Sequence, residues 1–189
     1  DKDGYTNVRS GKSSKSQIVH KLLDNQVFFA NTYDKGDWVS IDYKDKLGRE
    51  CSGYVHRSRV LPLSKLESYK AKDITLSFKT QAFDPNNHNI QKNENGFIET
   101  IDGLPVWGTD GGLPRKQTTS VTLTVKGQNI AIEKKKFANL YEINNNYTLY
   151  KKGDHYFSVQ LNSDGAGTYY TVWVFNNKVL LHNWVSSAE

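Results

Sequence analysis

The feature that most narrows what this chain can fold into is a period of two. Short runs of β-branched and aromatic residues alternate with polar ones, and clusters of Asp, Asn, Gly and Lys cut the runs apart. Successive side chains of a strand point to opposite faces, so this alternation buries one face of a sheet and leaves the other wet. Residues 26–30, 38–43 and 53–56 read as strands, as do 120–125 and 129–133, joined at Lys126-Gly127-Gln128 in a hairpin. A second hairpin is expected near the C-terminus, where 168–175 and 178–185 flank Asn176-Asn177, a pair that tolerates positive φ. Only 133–141 suggests a helical turn, with Phe137 and Leu140 three residues apart, and it is too short for more than one or two turns. The fold class expected is all-β and mainly antiparallel.

The 189 residues divide near position 64. Residues 60–64 close the first set of strands, and the polar stretch 65–73 shows no alternation. The expected organisation is a domain over 1–64, a linker over 65–73 and a second β-domain over 74–189, built as a sandwich or open barrel. With 37% hydrophobic and 24% charged residues the composition is that of a folded protein and not of a disordered one. The net charge of +5 is shared, with 11 Lys/Arg against 8 Asp/Glu up to Ser64 and 14 against 12 beyond it. Neither part is basic enough to favour nucleic acid, and Lys134-Lys135-Lys136 reads as a solvated turn. No apolar run is long enough to span a membrane. The chain has no methionine and starts at Asp1, which gives the expectation of a mature exported protein, periplasmic or envelope-associated. A trimmed cytosolic protein is the rival reading. Cys51 is alone and forms no internal disulfide, so it leaves the redox compartment open.

The first 64 residues carry an ordered set of motifs. Gly4-Tyr5-Thr6-Asn7-Val8-Arg9-Ser10-Gly11 opens the chain and Ser13-Ser14-Lys15-Ser16 follows. Gly36-Asp37-Trp38-Val39 lies in the middle, and Gly53-Tyr54-Val55-His56 closes the set. In this order they resemble the bacterial SH3 family, whose pattern is an N-V-R-x-G opening with a Ser-rich loop, a G-D-W-x-x-V turn and strand, and a closing G-Y-V-H. One departure is Lys12, where the family usually has proline. The resemblance implies a small SH3-like barrel and a binding module that docks cell-wall peptides or extended protein segments. On the residues themselves, Val8 points inward while Asn7 and Arg9 alternate outward. A barrel of this size needs aromatic area in its core, so Tyr5 and most of Trp38 are assigned to packing. The functional alternative is a ligand groove edged by Tyr33, Trp38, Tyr54 and His56. The charged loop 44–52 is longer than a minimal hairpin turn and is the place to look for specificity.

Residues 74–189 resemble only segments of uncharacterised proteins that carry an SH3-like domain, which implies no function. Two turn-rich segments stand out, 102–114 with Trp107 and 162–169 with Tyr169. Exposed Trp and Tyr on rigid loops anchor partners, so Trp107, Asp110, Asp164 and Tyr169 are the candidate binding residues. The plain alternative has Trp107 capping an open end of the β-core while Asp110 and Asp164 hold turns. Asp110, Asn162 and Asp164 are oxygen donors of the kind Ca²⁺ takes, but the EF-hand spacing is missing and no metal is expected. His20, His56, His88, His155 and His182 are scattered without a zinc-binding pattern.

A wall peptidase of the cysteine type needs a thiol outside the targeting domain, whereas Cys51 lies inside 1–64. No nucleophile elbow, P-loop or dinucleotide fingerprint is present. Spacing in sequence does not fix the distance between two carboxylates, so glycoside hydrolysis stays open at this point. The expectation is a non-catalytic protein without a cofactor. Its partner would be another protein, blocked as an immunity protein blocks a secreted toxin or a cell-wall-directed enzyme, because preorganised loops lose little entropy on binding. The alternative is a peptidoglycan-peptide-binding or envelope-scaffold protein, favoured by fold analogy.

Overall fold

The structure, a computed structural model, describes residues 3–31, 33–45, 49–70 and 72–188. It is all-β. Among the described residues the helical segments are single 3-10 turns of three residues each, and none is long and apolar enough to cross a membrane. The chain divides into two compact units, residues 1–66 and 67–189.

The first unit is one antiparallel sheet of β1 (Tyr5–Arg9), β2 (Ile18–Leu23), β3 (Phe29–Ala30), β4 (Trp38–Lys44) and β5 (Glu50–His56), in the order β2-β1-β5-β4-β3. The sheet curls on itself: His20 of β2 stacks on Tyr43 of β4 at 4.5 Å, although two strands separate them in the sheet. Inside the curl lie Val8, Leu22, Val39, Ile41, Tyr43 and Val55. Gly53 stands where any Cβ would strike the Val8 side chain and the Arg9 carbonyl, so glycine lets β5 close against β1. Alternation along β4 buries Val39, Ile41 and Tyr43 and turns Trp38 and Ser40 to the outer face. Only Phe29–Ala30 of the expected strand 26–30 is extended. Asn25 takes a positive φ of 65°, and the Gln26 side chain accepts from the Leu23 amide at 3.2 Å, which turns the chain before β3. Lys46, Leu47 and Gly48 of the loop 44–52 lie outside the described residues; beside them Asp45 and Arg49 pair at 2.7 Å.

The second unit begins inside the stretch read as a linker. β6 (Glu67–Ser68) already pairs with Tyr150 and Lys151. Next come β7 (Ile74–Ala82), β8 (Ile90–Lys92), β9 (Ile98–Ile101), β10 (Leu104–Pro105), β11 (Lys116–Val125) and β12 (Gln128–Ala131). The last four are β13 (Thr148–Lys152), β14 (His155–Asn162), β15 (Tyr169–Phe175) and β16 (Leu180–Ser187). A three-stranded sheet, β12-β11-β7, faces a five-stranded one, β16-β15-β14-β13-β6. Between them pack Leu76, Phe78, Leu123 and Val125 from the first, and Tyr156, Tyr169, Trp173 and Phe175 from the second. Between β7 and β11 the chain makes an excursion, the small sheet β10-β9-β8, with a core of Ile98, Ile101 and Tyr141.

Both hairpins form, by different means. Lys126 and Gly127 take φ of 51° and 77° in a two-residue loop between Val125 and Gln128, the geometry of a type I′ turn. Asn176 and Asn177 take no positive φ; instead Asn176 Oδ1 accepts from the amides of Lys178 and Val179 and closes a four-residue loop. The helical turn in 133–141 shrinks to Lys134–Lys136, after which Phe137 and Leu140 enter the core.

Candidate functional site

The outer face of the first sheet holds a groove of about 370 Å³. β1 lines it with Tyr5, Asn7 and Arg9, its alternate positions, and with Thr6; Asp3 and Ser14 flank them. Trp38, His56, Ser58 and Arg59 supply the rest. Trp38 and His56 are cross-strand partners, and their rings meet edge to face at 5.3 Å. His56 also caps the 3-10 turn after it: its Nδ1 lies 2.8 Å from Ser58 Oγ and accepts from the Ser58 amide. Arg57 steadies the facing turn by donating from Nε to the Gly36 carbonyl at 2.9 Å and from Nη2 to that of Asp34. Arg9 donates from Nη1 to the Ser16 carbonyl at 2.7 Å, which fixes its guanidinium beside the Ser-rich loop. The Asn7 carboxamide oxygen is shut off from solvent and has no hydrogen-bond partner. Rings, an amide and cations gathered in one concavity are the usual make-up of a ligand site.

Two of the four expected groove residues line this site, Trp38 and His56, and two do not. Tyr33 is 91% exposed and stands apart. Tyr54 lies on the same face beside Ser40 but under Lys12, whose Nζ is 5.4 Å from the ring centre. Lys12 in turn pairs with Asp34 at 2.8 Å, and Ser40 donates to Asp34 from its hydroxyl and its amide. The Lys12 ammonium and then the Ser40 donors hold the Asp34 carboxyl far below the usual carboxylate range. Lys12 thus clasps two loops over Tyr54. The assignment of Trp38 and Tyr5 to the core is corrected: both occupy outward positions of their strands, and neither belongs to the buried cluster.

In the second unit the segments around Trp107 and Tyr169 do come together. Ser163 Oγ donates to the Gly108 carbonyl at 2.8 Å, and Gly167 abuts the backbone of Gly108 and Thr109 so closely that a Cβ would collide. Tyr169 is corrected from binding residue to core: it is fully buried, and its hydroxyl donates to the Tyr141 carbonyl at 2.8 Å. Burial raises its phenol pKa far above the ordinary value. Trp107 is half-buried against the main core, its backbone bridged to Asn139 and Tyr141, so it caps the β-core. Asp110 and Asp164 are exposed, and Asp164 meets Arg115 only at 4.0 Å.

Sequence reasoning missed two features here. Glu142, in the left-handed region at φ 52°, buries its carboxylate and accepts from the amides of Arg115 and Lys116. Phe97 is 55% exposed at a latched hairpin tip: Asn93 Oδ1 accepts from the amides of Asn95 and Phe97, and the ring lies on Gly111. The signal for Phe97 was present, an aromatic residue directly after an Asn-Gly turn formed by Asn95 and Gly96. For Glu142 there was none.

Among the described residues no three His, Cys, Asp or Glu side chains are grouped to hold a metal ion. His20 stacks on Tyr43, His88 pairs with Asp102 at 2.7 Å, and His155 pairs with Asp154 at 2.6 Å. Cys51 packs against the core of the first unit. Compared with protein-family models, with curated proteins and with solved structures, the chain matches none.

Proposed function

We propose that the chain is a non-catalytic, exported binding protein whose first unit takes up a short extended peptide in the groove between Tyr5 and Trp38. The observation that carries this reading is the lining itself, two aromatic rings, an imidazole, an amide and two guanidiniums on one concave sheet face. An extended peptide asks for hydrogen-bonding groups at strand-like intervals and for rings that cover its apolar parts, and β1 offers the first while Trp38 offers the second. The motifs that resemble the bacterial SH3 family support the same reading, since wall peptides and extended protein segments are the ligands that resemblance implies. The chain is expected to pellet with purified cell-wall sacculi, and Trp38→Ala to stay in the supernatant while still folded. Full pelleting of Trp38→Ala would move the site elsewhere, and no pelleting by the wild type would withdraw the wall peptide as ligand.

A second reading, inhibition of a secreted toxin or wall-directed enzyme, is supported by the latched tip that presents the exposed Phe97 ring. A rigid apolar knob is a favoured anchor. It is tested by isolating a stoichiometric complex, in which Phe97→Ala is expected to weaken affinity at least about tenfold.

A further inference from the structure

The groove has one end built for a negative charge. Arg9 lines it with a guanidinium held by the bond from its Nη1 to the Ser16 carbonyl. Ser14, from the same Ser-rich loop that Arg9 holds at Ser16, also lines the groove. The other charged groups of the lining, Asp3 and Arg59, are of opposite sign. By strand register they belong toward the far end: Arg9 pairs with Tyr54, so the chain past His56 runs back along β1 toward Tyr5 and Asp3. From Tyr5 to Arg9 the strand covers about 13 Å, the length of about four extended residues. Net positive charge is therefore concentrated at Arg9, and the rest of the groove is balanced and aromatic.

Resting on the reading of this groove as a peptide site, we propose that its ligand presents a carboxylate to Arg9 and Ser14, with the peptide chain running back over Tyr5 and Trp38. A planar guanidinium matches a carboxylate in a two-pronged bond, and prior fixation by Ser16 lowers the entropy lost on binding. The carboxylate is either the free C-terminus of a short peptide or an acidic side chain near its end, and both present the same chemistry to Arg9.

The test uses the whole chain and three peptides: acetyl-Ala-Gly-Ala as free acid, the same peptide as C-terminal amide, and acetyl-Ala-Gly-Glu as amide. Binding is read from the chemical shift of the Trp38 indole N–H. At least one carboxylate peptide is expected to bind roughly fivefold or more tightly than the neutral amide, with the preference shrinking as salt rises. Which of the two it is identifies the source. Arg9→Gln removes the charge and keeps an amide donor; it should bring the carboxylate peptides down to the affinity of the neutral amide. Equal binding of all three peptides overturns the carboxylate and leaves the peptide site standing. No shift with any of them at millimolar concentration overturns both.

Discussion

At an outward position of β4, Trp38 contributes groove surface, and its replacement should act on binding before stability. Trp38→Ala is expected to cost under about 1.5 kcal/mol in denaturant unfolding, whereas Ile41→Ala, three residues on and buried, should cost about 2–5 kcal/mol because it leaves a cavity. Equal costs would place Trp38 in the core. His182 offers a pH test in the second unit. Burial, followed by the nearby charges of Lys136 and His155, lowers its pKa from the ordinary 6.5 to about 4. Between those values the unfolded chain binds a proton that native His182 refuses, so stability falls as pH drops through that window and levels off below it. The stability gap between wild type and His182→Gln should therefore narrow from pH 7 to pH 4; a constant gap would mean that His182 titrates normally in the fold.

At the scale of elements, turn chemistry is the most transferable part of the reading. The type I′ turn at Lys126-Gly127 holds a lysine in the left-handed region, where Asn is better tolerated. Lys126→Asn keeps the backbone bond from residue 126 to the Asp73 carbonyl and should raise stability by a few tenths to about 1 kcal/mol, measured as an increase in melting temperature. A decrease would show that the lysine side chain has a role at the turn. The loop 176–179 makes the contrasting point: the same type of residue, Asn, closes it through a side-chain acceptor and not through a left-handed backbone. Composition marks a turn at both places, but the mechanism depends on how many residues the strand register leaves over.

At the scale of the molecule, the boundary between units is a stability statement. Residues 1–66 enclose their own core and should unfold cooperatively when expressed alone. For the second unit, the fragment 67–189 should be more stable than 74–189. The shorter one loses β6, the bond from the Tyr69 amide to the Leu149 carbonyl, and the Tyr69 ring packed on Tyr156 at 5.4 Å. Equal melting temperatures for the two fragments would make residues 67–73 a linker after all. The polar composition of that stretch hides its role, because an edge strand of two residues leaves no readable alternation.

The period of two determined that this protein is all-β, and turn residues located its hairpins, because both effects act over a few neighbouring residues. Alternation on β1 likewise made Asn7 and Arg9 outward and Val8 inward before any packing was known. Only the tertiary structure decided which face of each strand became the core. Trp38 and Tyr169 are both large aromatics beside glycine-rich turns; one opens onto a groove and the other lies fully buried, since the difference depends on which second sheet covers them. The same holds for the polar side chains of β14, where Gln160 is buried because Thr171, Trp173 and the Asn144 carbonyl satisfy its amide. Partners brought together from 11 to 16 residues away leave no periodic trace in the chain that encodes them.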